Sequence, residues 1–248
     1  MQNIIEMIEV SFAYQDEPPI FNQLNLSIKK GETIGIVGSN GAGKSTLLKL
    51  LVGLVEKNKG TIKIAEKHLT SKSLQEIRKY VGYAFQDADA QLFMPTVYDD
   101  VAFGPMHMGL KGETLDKVVQ SALKTVGAYH LKDRPPYKLS GGEKRSVTIA
   151  TVLSMNPEII ILDEPTTGLD PKSRRGLIEL LEDLSQTKII ATHDMELTRE
   201  LCDRIIVMHE GSIAAQGPAD EIFNDYKLLE TCQLEQPYSM KPCSKCGL

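Results

Sequence analysis

No stretch of this 248-residue chain stays apolar for the roughly 18 to 20 residues that cross a bilayer, so no membrane span is expected. The opening MQNIIEMIEV carries acids and lacks a basic segment ahead of its apolar residues, so it does not read as a secretory leader. Positive charge is in deficit: 28 Lys and Arg face 33 Asp and Glu, for a net charge of −5. No global basic field therefore points to nucleic acid. Cysteine is sparse. There are four, with Cys243 and Cys246 at the end of the chain, and they make no disulfide framework; a reducing cytosol is implied. Internal repeats, low-complexity tracts and heptad arms are missing as well. What remains is an ordinary soluble composition, 42% hydrophobic and 25% charged, enough for one large domain or two small ones.

Short apolar runs carry the layout. Thr33–Gly38 is β-branched and stops at glycine, the pattern of a buried strand. Leucines at 47, 48, 50, 51 and 54 predict a buried helix after Lys44. Gly60–Ile64 alternates like a half-exposed strand, and Tyr80–Phe85 reads as another. Leu115, Val118, Val119, Ala122, Leu123 and Val126 form a stripe at helical spacing, and Val147–Met155 is apolar on most sides. Strands and helices then alternate: EIIIL, a helix over Lys172–Leu184, TKIIAT, a helix over Met195–Cys202, and RIIVM. Continuous apolar strands with crossover helices mean an α/β fold with a mainly parallel sheet covered on both faces. The expected layout is a core over about 1–87 and 157–226, interrupted by a helical block over about 88–156. From about Lys227 periodicity is lost and a loose tail is expected.

Gly38, Gly43, Lys44 and Ser45 satisfy G-x4-G-K-S/T between a strand and a helix, the context this phosphate motif requires. Backbone N–H groups across Gly38, Ser39, Asn40, Gly41, Ala42, Gly43, Lys44, Ser45 and Thr46 can close around phosphate oxygens, with a helix dipole behind them. Lys44 would reach the terminal phosphates, and the Ser45 hydroxyl is a magnesium ligand. Asp163 ends the strand in IIILDEP and is suited to hold Mg²⁺; Glu164 follows it, suited to orient or deprotonate a water. Alone, these two would read as solvated strand-end acids; beside a phosphate cradle they do not. His193 ends the next strand and is assigned to the γ-phosphate. Ser140 and Glu143 form a capping box ahead of an apolar helix. The box leaves Gly141 and Gly142 unexplained, because first-turn glycines cost helix stability by about 1 kcal/mol each. They make sense if something approaches the backbone closely. The expectation is a nucleotide held by a second subunit.

In order along the chain, Gly38–Thr46, the glutamine of FQD (Gln86), LSGGE, ILDEP, TTGLD and THD resemble the ATP-binding cassette ATPases, over about residues 4–225. The resemblance implies a P-loop NTPase: a RecA-like core, an N-terminal antiparallel β portion and an inserted helical subdomain, with ATP and Mg²⁺ as cofactors. Residues 1–226 would be the ATPase domain and 227–248 its tail. It further implies that Tyr14 stacks on adenine, and that Gln86 senses Mg²⁺ and the attacking water beside Glu164 and His193. Ser140, Gly141, Gly142 and Glu143 would close over the partner's ATP, with Asp170 in a loop that crosses the dimer interface. Glu143 stands where glutamine is commoner, and Ser146 where arginine is frequent. With every motif intact a homodimer is preferred, and pairing with a related ATPase stays open.

The segment Gln86–Leu110, with its QLF and TVYDDVAFGP strings, resembles the ATPases of energy-coupling-factor and cobalt/nickel importers. In transport cassettes this region receives a coupling helix of the membrane subunit. Asp99 and Asp100 either pair with arginines on such a helix or form a solvated acidic turn. RPPYKLSGGEKR and GPADEIF resemble the single-ATPase metal importers more than the paired vitamin ones. The implied protein is peripheral at the cytoplasmic face of the cell membrane. It would work with a second ATPase subunit, an integral coupling subunit and a substrate-binding membrane component, and without nucleic acid. A vitamin importer or another ABC transporter is the alternative, with a soluble non-transport ATPase further off. Cys243 and Cys246, at C-x2-C spacing, supply two of the four ligands a structural zinc needs. Reduced thiols in the tail are the preferred reading, metal binding the alternative.

Overall fold

A computed structural model describes residues 2–241; Cys243 and Cys246 lie outside the described residues. In chain order the elements begin with β1 (Asn3–Phe12), β2 (Phe21–Lys29), β3 (Thr33–Gly38), α1 (Lys44–Leu51), β4 (Lys59–Ile64), β5 (Lys67–His68), α2 (Leu74–Ile77) and β6 (Val81–Ala84). There follow α3 (Val97–His107), α4 (Gly112–Thr125), α5 (Gly141–Leu153), β7 (Ile159–Asp163), α6 (Pro171–Asp183) and β8 (Thr187–Ala191). The chain closes with α7 (Met195–Leu201), β9 (Arg204–His209), β10 (Ser212–Gly217), α8 (Ala219–Asn224) and α9 (Tyr226–Thr231). Two compact units result: Met1–Leu74 with Ile189–Leu248, and Gln75–Lys188.

The first unit holds an antiparallel sheet in the order β2-β1-β4-β5, in which β1 pairs with both β2 and β4. Its second set of strands runs β10-β9-β3, with β3 parallel to β9 and β10 antiparallel at the edge. All six residues of β3 are buried, as its unbroken apolar run requires, whereas β10 alternates exposed and half-buried residues. The β3 and β9 starts are pinned together by polar contacts. Arg204 grips Glu32 through Nε at 2.7 Å and Nη2 at 3.0 Å, and Asp203 Oδ2 accepts from the Thr33 N–H at 2.8 Å. In α1, Leu47, Leu48, Leu50 and Leu51 are solvent-free, as their spacing predicts. The helix ends before Gly53, and Leu54, expected to continue the buried face, is 49% exposed.

In the second unit β6 and β7 pair in parallel, Val81 to Ala84 against Ile159 to Leu162. Helices α3, α4 and α5 share a core that includes Val97, Val101, Val119, Leu123 and Val147. The stripe on α4 faces that core, with Leu115 and Val126 at its margin. The unit boundaries differ from the expected layout because β6 and β7 pair with each other and α5 packs on β6. Both strands therefore cluster with the helical block.

The expected loose tail is corrected up to Lys241. Residues Tyr226–Thr231 form α9, Leu229 is buried and Cys232 is solvent-free. Further on, Glu196 accepts from the Ser239 N–H and hydroxyl at 2.7 Å each, Arg199 donates to Ser239 Oγ at 3.0 Å, and Gln236 donates to the Phe223 carbonyl at 3.1 Å. The stretch is too short for a helical period to emerge from sequence, yet its few apolar residues find the core. Leu229→Ala should lower the unfolding free energy by about 2 to 5 kcal/mol in a urea titration. An unchanged midpoint would return this segment to the status of a loose tail.

Candidate functional site

Tyr14, Gly38–Thr46 and His193 belong to the first unit. Gln86, Ser140–Glu143, Asp163, Glu164 and Asp170 belong to the second.

The phosphate loop leaves β3 at Gly38 and enters α1 through Gly43, whose φ is 103°. A Cβ there would lie 2.7 Å from the Phe21 ring, so only glycine fits. No acid stands in the first turn of α1, and its N–H groups and positive dipole end remain suited to an anion. Lys44 is buried, and its ammonium donates to the carbonyls of Gly38 at 2.7 Å and Ser39 at 3.1 Å. It also lies 3.3 Å from His193 Nε2, two residues past the end of β8. An ammonium only donates, so Nε2 is the acceptor of this contact. Ala42 is buried and closes the turn onto the Ser39 carbonyl at 3.2 Å, while Asn40 and Gly41 face solvent. Ser45 and Thr46 are half-buried in the first turn of α1. Tyr14 lies just past β1, half-buried, with its ring edge-to-face on Phe12 at 4.8 Å.

In the second unit Asp163 ends β7, buried, and its Oδ2 accepts from the Tyr83 hydroxyl at 3.0 Å. Glu164 is also buried and has φ 46°, a left-handed backbone that costs a non-glycine residue on the order of 1–3 kcal/mol. Arg145, on α5, reaches both segments. Its Nη1 donates to the Phe85 carbonyl at 2.8 Å, and its Nη2 to those of Gln86 at 2.8 Å and Glu164 at 3.4 Å. The backbone of Gln86 is thus held, and its residue is exposed.

The capping box forms as the sequence predicts. Ser140 Oγ accepts from the Glu143 N–H at 3.3 Å, and Glu143 Oε2 accepts from the Ser140 N–H at 2.7 Å. The hydrogen bonds from Ser140 hold the Glu143 carboxyl below its ordinary range. The two glycines then part company. A Cβ on Gly142 would sit 2.5 Å from Ser173 Oγ, so its requirement is met inside this chain, by α6. Gly141 is exposed, and its nearest neighbour, the Gly168 carbonyl, would lie 3.9 Å from a Cβ. Asp170 caps α6 by accepting from the Lys172 and Ser173 N–H groups and from the Ser173 hydroxyl at 2.6 Å. The α5 head and the Asp170 loop therefore meet at Ser173.

Asp100 departs from the solvated reading offered for the acidic pair. Asp100 is buried, and its Oδ1 accepts from the Phe93 and Met94 N–H groups at 3.0 and 3.1 Å. Burial pushes its carboxyl up. Asp99 accepts from the Thr96 hydroxyl at 2.6 Å while Thr96 caps α3. Asp100 braces a loop instead of facing solvent.

A family described as ABC transporter matches residues 21–167. The chain belongs to the ABC transporter family. A Geobacter sulfurreducens relative named as an ABC transporter ATP-binding protein is 49% identical, over 99% of this chain and 98% of its own length. Energy-coupling factor transporter ATP-binding protein EcfA of Methanocaldococcus jannaschii is 43% identical, over 94% of this chain and 86% of its own. Among solved structures, CbiO1 from Clostridium perfringens, described as part of the ABC transporter complex cbiONQ, superimposes with a TM-score of 0.83. It is 39% identical, over 93% of this chain and 94% of its own. This ABC cassette is an ATPase of the energy-coupling-factor group.

Sequence reasoning missed two residues of the cassette. Arg145, beside Ser146, carries one sequence signal, a charge four residues before Ile149 at the spacing of a buried helix face. Tyr83 had no signal, since nothing local says that a tyrosine on β6 meets Asp163 on β7. Burial, then the Asp163 charge and hydrogen bond, hold the Tyr83 phenol protonated well above its ordinary range. A raised folded-state pKa contributes stability that is complete below the unfolded value, about 10, and fades as pH climbs through the folded one. Tyr83→Phe should therefore flatten the loss of stability above about pH 10, measured by urea titration at rising pH. An alkaline slope equal to wild type would contradict the raised pKa of Tyr83.

Proposed function

We propose that this ATPase powers an importer of the energy-coupling-factor kind, as a homodimer, with a transition metal ion, cobalt or nickel, as cargo. The observation that carries the transport reading is an apolar surface in the segment after Gln86. Phe93 is 62% exposed and Met106 55%, and Phe103 and Met108 are exposed beside them in sequence. Phe93 and Phe103 meet edge-to-face at 5.1 Å, and Phe103 meets His107 at 4.3 Å. Exposed apolar patches of this kind mark contact surfaces, and a coupling helix of an integral membrane subunit is the partner that the resemblance implies. The cassette itself sits peripherally at the cytoplasmic face; no helix among the described residues is long and apolar enough to cross a membrane. The metal cargo draws on the resemblance of RPPYKLSGGEKR and GPADEIF to the single-ATPase metal importers.

Chemically, the loop Gly38–Thr46 holds the phosphates, with Lys44 as the cation on the terminal pair and Tyr14 against the base. The Ser45 hydroxyl, the Gln86 amide oxygen and the Asp163 carboxylate are hard oxygen donors, the set magnesium prefers. Magnesium held by such donors would neutralise charge developing on the γ-phosphate. Glu164 takes the proton of the attacking water, with His193 and Gln86 orienting the terminal phosphate and the water. Ser140 and the N–H groups at the α5 head serve the nucleotide of the partner chain, with Gly141 leaving room for it and Asp170 near the interface. ATP binding closes two chains head to tail; hydrolysis lets them part.

Two experiments test this. Ser140→Arg and Lys44→Ala homodimers should both be inactive, while a mixture should regain part of the turnover, because one composite site then lacks both lesions. No recovery in a verified mixed dimer would remove the shared site. Phe103→Glu should abolish co-purification with the integral membrane subunit and cobalt or nickel uptake in cells, with ATP binding retained. Uptake of a vitamin in place of either metal would overturn the cargo.

A further inference from the structure

We propose that Arg145 is a positioning residue for hydrolysis, whose guanidinium locks the backbone at Gln86 and Glu164 to the helix headed by Ser140. The proposal rests on the reading of Glu164 as the base. Arg145 is 5% exposed, and its nearest acceptors are three neutral carbonyls, those of Phe85, Gln86 and Glu164. Two of them follow the end of β6 and the third follows the end of β7, where the strand ladder stops and backbone oxygens need another donor. A planar fork with several donors can serve both segments at once; a lysine ammonium is a point charge on a flexible stem. Burial draws the guanidinium's pKa down, opposed by the charges of Asp163 and Asp87. A buried cation is expensive to keep, and packing alone would be met more cheaply by an apolar side chain.

What the cation secures is direction. The left-handed φ of Glu164 sets where its carboxylate points, and the Glu164 carbonyl is the atom that Arg145 holds. The same side chain fixes the backbone from which Gln86 projects. Neighbouring residues tie the 85–91 segment to α5 as well. Gln91 Oε1 accepts from the Phe85 N–H at 2.9 Å while its Nε2 donates to Thr151 Oγ1 at 2.7 Å, and Lys144 meets Asp89 at 2.5 Å. Of these α5 side chains, Arg145 is the one that also reaches the segment after β7. Base, sensor and the α5 head thereby move as one piece, and the partner's nucleotide, by engaging Ser140, would act on Glu164 through Arg145.

The test is steady-state ATP hydrolysis by the full-length protein with magnesium, comparing Arg145→Met, Arg145→Lys, Glu164→Gln and the Arg145→Met/Glu164→Gln double variant. Glu164→Gln should slow turnover by about 10² to 10⁴. Arg145→Met should lower kcat by at least about 10-fold, with KM for ATP within about 3-fold, since misplacement of about 1 Å can cost 10²-fold. In the Glu164→Gln background the same change should add less than about 2-fold, because the group it positions is already gone. If Arg145→Met does not fold, Arg145→Lys keeps a buried cation and decides: its kcat should fall at least about 5-fold, because one ammonium cannot serve both segments. Wild-type kcat in either folded variant, or a full multiplicative loss in the double variant, overturns the proposal. Normal hydrolysis by Glu164→Gln instead overturns the base assignment, a separate failure.

Discussion

A parallel strand that ends at a functional site leaves carbonyls without a ladder partner, and buried ones must be paired. This protein answers with buried cations. At the end of β3, Lys44 donates to the carbonyls of Gly38 and Ser39. After β6 and β7, Arg145 donates to those of Phe85, Gln86 and Glu164. Each cation holds backbone in a conformation from which a chemical group projects, and each costs desolvation that an apolar residue would not. The two differ in kind. Lys44 has a flexible stem and a compact charge, suited to exchanging carbonyl partners for phosphate oxygens. Arg145 has a rigid fork, suited to staying where it is.

The head of α5 draws its form from two separate demands. Its capping box satisfies two N–H groups that a helix end leaves open. Gly142 is required by the approach of Ser173 on α6, within the same chain. Gly141 has no close neighbour among the described residues, and the proposed partner nucleotide would use that space. Asp170 shares Ser173 with Gly142, so the Asp170 loop and the head of α5 meet at one residue.

Much of the site could be read from sequence because its chemistry is local. A phosphate loop needs its glycines, lysine and serine at fixed spacing, and a capping box needs its serine and glutamate three residues apart. The parts that escaped are mostly contacts between residues far apart in sequence, Tyr83 with Asp163, Arg145 with Glu164 and Ser239 with Glu196, together with a loop that folds back locally, Asp100 on the Phe93 and Met94 backbone. Asp100 is the instructive case, since an acid next to another acid reads as solvated until the loop that folds over it is known.

By itself the sequence determined the strand and helix alternation, the phosphate loop, the cap of α5 and the family, since each is written in residue types at short, regular spacing. Only the tertiary structure decided which charges are buried, which glycine answers to its own chain, and where the last residues pack. Burial is a property of what surrounds a residue, and those surroundings come from segments tens to more than a hundred residues away.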